Sequence, residues 1–174
     1  MGQIECIIVD QEDKILEYLP WDKYQIQSQL VHRSVHVLVL NQAGQLILPL
    51  VSQSVGDKTK ERLASIGGPV PKGQSHYQTA RHYMQTCLGL NKLSIYPLLA
   101  KQSLSLPEFP ELATIYLVQT PGPFKYDESN ILSLKKISPR QLDWLLFWRK
   151  KQFSPNLRML LKLCSHHLKT GTNP

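Results

Sequence analysis

Residues 67–90 of this sequence, GGPVPKGQSHYQTARHYMQTCLGL, constrain the fold more than any other stretch. Gly67 and Gly68 open a loop that carries two prolines and a Lys-Gly pair. The stretch that follows contains neither proline nor glycine until Gly89, and a glycine in that place is typical of the end of a helix. The segment therefore predicts a glycine loop followed by a helix over about residues 75–88.

The composition is that of one globular domain. The chain has 174 residues, of which 42% are apolar and 19% are charged, and this length is sufficient to bury a core. We expect a single domain over residues 3–168 and a frayed tail over residues 169–174. No apolar run approaches the length of about 20 residues that a membrane helix needs, so no membrane partner is expected.

The cysteines and the N-terminal residues favour a cytoplasmic location. Cys6, Cys87 and Cys164 are far apart in the sequence, and this spacing predicts neither a disulfide framework nor a pair of metal ligands. The first residues include acids and lack the basic segment of a secretory signal. A reducing compartment such as the cytoplasm is the expected setting.

The positive charge is unevenly distributed. The formal net charge is +7, and no acidic residue lies between Arg62 and Pro107. From Asn130 onward, nine Lys and Arg residues accompany one acid, Asp143. Such a field favours an anionic partner, such as a nucleotide, a diphosphate, a nucleic acid or an acidic protein surface. A set of lysines that are only solvated is the alternative.

Hydrophobic patterns and turn signals predict a mixture of strands and helices. The predicted strands cover residues 4–10, 15–18, 31–40, 45–51, 93–104, 112–119 and 131–137. The predicted helices cover residues 21–27, 75–88, 138–149 and 154–168, and the polar stretch 52–61 is expected to be an exposed loop. Strands that alternate irregularly with a few helices favour an α/β (α+β) fold, in which a mixed sheet lies between helices.

The order of these elements resembles the Nudix family. An N-terminal hairpin and a helix precede His32 and Arg33, which start a long strand, and two proline-started helices end the chain. This arrangement is similar to the branch of the family related to isopentenyl-diphosphate isomerase, over residues 3 to about 165. The resemblance implies the Nudix fold, with diphosphate cleavage by metal ions that glutamates of the 75–88 helix would hold.

The acids that this reaction needs are replaced. The resemblance places the conserved Glu and Arg positions of the Nudix box on residues of other types, namely Gln74, His82, Tyr83, Thr86 and Cys87. Magnesium prefers oxygen ligands such as carboxylates, whereas the phenol, hydroxyl and thiol here are neutral near pH 7. The box is therefore interpreted as degenerate, and we predict no catalytic residue, no metal site and no cofactor. The cysteine and histidine of the isomerase would align with Gly67 and Pro69, which have neither function.

The leading hypothesis is a binding module that has lost metal-dependent hydrolysis. Its ligand would be a phosphorylated small molecule, or its partner an acidic protein surface. Seven residues could contribute a hydrogen bond, a positive charge or a close backbone approach to such a ligand. These candidates are His32, Lys58, Lys60, Gly67, Gly68, Lys72 and Arg81.

Two alternatives stay open. A divergent hydrolase of nucleoside diphosphate-linked substrates could hold Mg²⁺ or Mn²⁺ with acids outside the box, such as Glu61, Glu108, Glu111, Asp127 and Glu128. A nucleic-acid-binding protein could use the basic C-terminal helices. However, the helical spacing of Trp144, Phe147 and Trp148 predicts that these aromatics pack against the sheet, and Tyr77 is predicted to share the core face of the 75–88 helix.

Overall fold

The computed structural model describes residues 5–26, 29–55, 58–91, 93, 95–105 and 109–170. Nine strands form one mixed sheet: β1 Glu5–Val9, β2 Ile15–Pro20, β3 Val31–Leu40, β4 Leu46–Val55, β5 Lys58–Leu63, β6 Ile66–Pro69, β7 Tyr96–Leu104, β8 Glu111–Gln119 and β9 Ser133–Ile137. The helices are α1 Trp21–Ile26, α2 His76–Leu88, α3 Leu142–Trp148, α4 Pro155–Leu163 and α5 Ser165–Thr170. None of the helices in these ranges is long and apolar enough to cross a membrane.

Strand β3 is the centre of the sheet. It pairs with β8 in parallel along residues 32–40, and with β1, β4 and β6 in antiparallel fashion. The predicted bounds of this strand, 31–40, agree with the observed ones. Because β3 pairs with several neighbouring strands, it lies in the middle of the sheet, and its side chains contribute to both faces of the sheet.

The two faces of β3 are covered by different helices. Val35, Val37 and Val39 belong to the apolar cluster that includes α2, while Leu38 and Leu40 belong to the cluster that includes α4 and α5. Alternate side chains of a strand point to opposite faces, which explains this division. The predicted mixed sheet between helices is confirmed.

Helix α2 has strong local start and stop signals although it lacks acids in its first turn. The Ser75 hydroxyl accepts a hydrogen bond from the Gln78 backbone N–H, and the Gln78 side chain accepts one from the Ser75 N–H, which forms a capping box. Gly89 ends the helix in the left-handed conformation, with φ of 65°. Local capping contacts therefore define where this helix begins and ends.

Replacing Ser75 tests that cap. Ser75→Ala should lower the free energy of unfolding by about 1 kcal/mol, since one helix N–H loses its acceptor. Ser75→Asp keeps an acceptor oxygen at the same position and is the control; its stability should stay near that of the unmodified protein. Urea denaturation measures both variants, and equal stability of the two would show that the capping box contributes nothing.

The structure corrects several expectations about elements. The stretch 52–61 is not a loop, because β4 and β5 pair there from residue 50 to residue 63; residues 56–57 lie outside the described ranges. The predicted helix 154–168 is two helices, and α5 extends to Thr170, so the expected tail starts too early; residues 171–174 are not described. The start of the predicted glycine loop is also a strand, because residues 66–69 form the short strand β6.

Two expectations about aromatic side chains are also wrong. Tyr77 is exposed, and the buried face of α2 consists of Thr79, Ala80, Met84 and Leu88. The aromatics of α3 do not pack against the sheet. They are 56–72% exposed and comprise Trp144, Phe147 and Trp148.

Candidate functional site

A cavity of about 440 Å³ lies on the α4 face of the sheet, where β3 and β8 begin. Its wall combines three aromatic side chains, a cluster of polar side chains and the backbone of β6. The residues that line the cavity include Trp21, His32, His36, Ser65, Gly67, Gly68, Tyr83, Phe109, Glu111 and Asn156. Pockets of this size and mixed character are typical small-molecule sites.

The polar side chains of the cavity come from one face of β3. His32, Ser34 and His36 are spaced two residues apart, so they share the face that continues into Leu38. The parallel register places Glu111, the first residue of β8, beside His32. All four of these polar side chains are buried.

Glu111 is the centre of the polar cluster. Its carboxylate accepts hydrogen bonds from Ser34 Oγ at 2.7 Å, from His36 Nε2 at 2.7 Å and from the Asn156 amide. Burial alone would raise the pKa of this carboxyl group, but His36, His32 and Ser34 together lower it below its usual value. Glu111 is therefore a buried, ionised carboxylate whose charge is stabilised by donors from two elements, β3 and α4.

The other ring nitrogen of His36 contacts a serine. His36 Nδ1 lies 2.8 Å from Ser65 Oγ, in the segment between β5 and β6. In the tautomer that carries its proton on Nε2, His36 donates to Glu111 and its Nδ1 accepts from the Ser65 hydroxyl. The three side chains form one continuous chain of hydrogen bonds at the wall of the cavity.

His32 is held by a second group of side chains. Its Nδ1 lies 2.8 Å from Tyr24 Oη and 3.2 Å from the Pro110 carbonyl oxygen, and its ring packs edge-on to Trp21. Burial lowers the pKa of His32, so the imidazole is neutral at pH 7. Burial also raises the pKa of the Tyr24 phenol. His32 is thus a neutral, well-supported ring and not a positive charge for a phosphate.

The two glycines of β6 are required by contacts within the protein. A Cβ atom on Gly67 would lie 2.0 Å from the Val35 carbonyl oxygen, and one on Gly68 would lie 2.5 Å from Tyr83 Oη. Gly67 also has φ of 151°. Both residues line the cavity. The sequence predicted that they allow close approach of a ligand, and the close approaches that the structure gives are to β3 and to α2.

Solved structures share this architecture, whereas no protein-family model and no curated protein matches the sequence. DR0079 from Deinococcus radiodurans has a TM-score of 0.71 at 17% identity, covering 92% of this chain and 98% of that one. A Nudix-family hydrolase from Clostridium perfringens has a TM-score of 0.57 at 12% identity, covering 80% and 97%. An Ap4A hydrolase from C. elegans has a TM-score of 0.56 at 10% identity, covering 79% and 99%. This chain has the Nudix fold.

Several side chains at the positions that the sequence resemblance aligns with the Nudix box make contacts with nearby residues of the same chain. The Thr86 hydroxyl donates to the His82 carbonyl of its own helix turn, and the Gln74 side-chain oxygen accepts from Thr79. Burial raises the pKa of Tyr83 to about 12 and also raises that of the Cys87 thiol. Both groups are therefore neutral at pH 7 and contribute no negative charge.

This donor set does not fit the divalent metal of Nudix hydrolysis. Hard cations need several carboxylate or other oxygen ligands with compensating charge. Within the described ranges, no group of three or more His, Cys, Asp or Glu side chains could hold a metal ion. Glu111 is the buried acid of the cavity, and three donors already engage its two oxygens. The residues of this site therefore do not support a reaction step that uses a metal ion.

The other acids considered for a divergent hydrolase lie elsewhere. Glu61 is exposed on β5, and Asp127 and Glu128 are exposed in the segment before β9. The Asp127 carboxylate is engaged by Ser129 and Asn130 nearby in the chain. Glu108 lies outside the described residues.

Three of the basic candidates, Lys60, Lys72 and Arg81, do not line the cavity. Lys72 pairs with Glu5 at 3.2 Å and lies over the Tyr18 ring, and Arg81 lies over the Tyr77 ring. Lys60 is exposed on β5; the backbone of Lys58 belongs to the same strand, and its side chain is not described. The structure therefore brings together three of the seven candidates, His32, Gly67 and Gly68.

The sequence analysis did not select His36, Ser65 or Asn156, and it considered Glu111 only as a metal ligand. One signal was available, because His32, Ser34 and His36 recur at every second position of an otherwise apolar strand. A polar row on one face of a central strand indicates either exposure or a buried polar site. The contributions of Ser65 and Asn156 depend on tertiary contacts and had no comparable signal.

Proposed function

We propose that this chain is a Nudix-superfamily protein with a degenerate box, which binds a small molecule without a metal ion and without metal-dependent diphosphate hydrolysis. The observation that carries the proposal is the cavity built around Glu111. Its acid is saturated by protein donors, while Tyr83 and Cys87, at two of the aligned box positions, are neutral. The site thus favours recognition by hydrogen bonds over metal chemistry.

The lining of the cavity defines the ligand that we propose. Trp21 and Phe109 stack with ring centroids 6.3 Å apart, which suits a flat ring. Glu111 contributes a negative charge, and no Lys or Arg occurs among the described lining residues. Because like charges repel strongly at a partly buried site, a phosphate is disfavoured inside the cavity. The ligand that fits best is a nucleobase or nucleoside bound inside the cavity. Any phosphate group that it carries would lie outside the cavity, toward the basic surface of the protein.

A thermal-shift screen tests this function. The panel contains nucleosides, nucleotides, dinucleotides such as Ap4A and isoprenoid diphosphates, each with Mg²⁺, with Mn²⁺ or with EDTA. The isoprenoid diphosphates test the proposed likeness to the isomerase branch. A ligand at 100 times its Kd should raise Tm by about 5–10 °C, and equally with EDTA. Stabilisation that requires metal would contradict the proposal and favour the divergent hydrolase.

Two matched tryptophan variants locate the binding site. Trp21→Ala removes a cavity ring and should abolish most of the shift, while Trp144→Ala removes an exposed ring of α3 and should leave it unchanged. Loss of the shift in Trp144→Ala alone would place the ligand on α3 and overturn the assignment to the cavity.

The surface of α3 supports nucleic-acid binding as a second candidate function. Trp144, Phe147 and Trp148 are exposed beside Arg149, and Lys150 and Lys151 follow it, also exposed. Exposed aromatic rings within a basic segment are the combination that binds single-stranded nucleic acid. Binding of a single-stranded oligonucleotide that weakens steeply with salt, and that is lost in Trp148→Ala, would favour this function.

A further inference from the structure

We propose that Ser65 is a nucleophile, that His36 is its general base and that Glu111 orients His36, so that the cavity hydrolyses a small neutral carboxylic ester. The inference rests on the proposed function, because it uses the same cavity and the same absence of a metal. It assigns to these three side chains a reaction that differs from diphosphate cleavage.

The contacts have the order that nucleophilic catalysis requires. Ser65 Oγ is 2.8 Å from one nitrogen of His36, and Glu111 is 2.7 Å from the other. The base thus lies within hydrogen-bond reach of both the nucleophile and the orienting carboxylate. The same three roles recur on unrelated folds and are recognised by geometry and not by position in the sequence.

The surroundings hold this chain of side chains in place. Ser34 and Asn156 donate to the Glu111 oxygens, so the carboxylate is fixed from β3 and from α4. His36 is 4% exposed, whereas Ser65 is partly exposed toward the cavity that it lines. A rigid, buried base beside an accessible hydroxyl is the arrangement that a nucleophilic serine needs.

The proposed step balances as follows. Ser65 Oγ attacks the ester carbonyl carbon, and its proton passes to His36 Nδ1 while the carbonyl electron pair moves to oxygen. The intermediate collapses, the bond to the leaving alcohol breaks, and the His36 proton is transferred to the alcohol oxygen. Water then attacks the acyl-serine, with His36 accepting its proton and returning it to Ser65 Oγ, which releases the carboxylic acid.

The same lining selects the substrate class. Glu111 and the lack of Lys and Arg among the described lining residues disfavour anionic acyl groups, and Trp21 and Phe109 favour an apolar or aromatic one. A volume of about 440 Å³ limits the substrate to a small molecule.

Labelling with a fluorophosphonate probe tests the inference directly. Mass spectrometry should find the adduct on Ser65 in the unmodified protein, and Ser65→Ala should abolish it. Ser103→Ala, which changes an exposed serine on β7, is the matched control and should label normally. Hydrolysis of p-nitrophenyl acetate should fall by at least about 100-fold in Ser65→Ala and in His36→Gln.

Glu111→Gln tests the positioning role. It keeps the size of the side chain but removes the charge that orients His36, and we expect a lower kcat for p-nitrophenyl acetate with little change in KM. A role limited to stability would lower only the fraction of folded enzyme, so the kcat normalised to the folded fraction, measured by circular dichroism well below Tm, would then be unchanged.

Three outcomes would overturn the inference in different ways. No adduct on Ser65, together with a ligand found by thermal shift, would refute the nucleophile and leave the binding function standing. No adduct, no ester hydrolysis and no ligand would refute both. An adduct on another serine would also refute the assignment, whatever the stability of the variants.

Discussion

Glu111→Ala should lower the free energy of unfolding by about 3 kcal/mol or more, because several hydrogen-bond donors lose their common partner in a buried cluster. The substitution leaves Ser34, the His36 Nε2–H and the Asn156 amide without their shared acceptor. Each buried donor that loses its partner costs about 1–3 kcal/mol. Urea denaturation at pH 7 measures the loss.

The same residue makes stability depend on pH. The pKa of Glu111 is lower in the folded protein than its usual value, so its contribution is present above the unfolded pKa. That contribution is lost as pH falls through the lowered folded value. The free energy of unfolding should therefore fall less steeply toward acidic pH in Glu111→Ala than in the unmodified protein.

Glu128→Ala is the control for both effects, because Glu128 is exposed. It should change stability by no more than about 0.5 kcal/mol and leave the fall toward acidic pH unaltered. If Glu111→Ala behaves in the same way, the carboxylate is not the centre of a buried polar cluster.

Gly67→Ala should destabilise the protein by about 3 kcal/mol or more, through a steric clash and backbone strain acting together. The new Cβ would lie 2.0 Å from the Val35 carbonyl oxygen and 2.9 Å from the His36 Cα, both backbone atoms of β3. Backbone atoms of a central strand cannot rotate aside as a side chain can. The pairing of β6 with β3 should therefore be disrupted.

Gly44→Ala separates the two causes. Gly44 also has a positive φ, 70°, but a Cβ there meets nothing within 4 Å. It should cost only the strain of the left-handed conformation, about 1 kcal/mol. Chemical denaturation of both variants gives the comparison, and equal losses would mean that the contact with Val35 is relieved at little cost.

The parts of the fold with local signals could be predicted from the sequence. Strand β3 is a ten-residue run rich in valine and leucine, and its bounds were predicted correctly. The capped start and the glycine stop of α2 defined that helix to within one residue. By contrast, the polar stretch 52–61 was interpreted as a loop because polar residues favour exposed positions. Strands β4 and β5 nevertheless pair there, and Ser52, Lys60 and Glu61 are exposed within them.

The candidate site was less predictable because its contacts are far apart in the sequence. Ser34 and Glu111 are 77 residues apart and meet only through the parallel pairing of β3 with β8. Asn156 reaches the same carboxylate from α4. Gly67 and Gly68 could be recognised as special positions, but not which atoms they approach, since that depends on the packing of β3 and α2.

The anchoring of α4 has a consequence for the order in which the molecule is completed. Ser154 N–H donates to the Leu63 carbonyl, and this contact sets the start of the helix that carries Asn156 to Glu111. During synthesis, the strands of the sheet are therefore made well before the residue that satisfies the buried acid. A nascent chain that stops short of Asn156 would have most of its sheet and an incomplete cavity, so the site is among the last features of the protein to form.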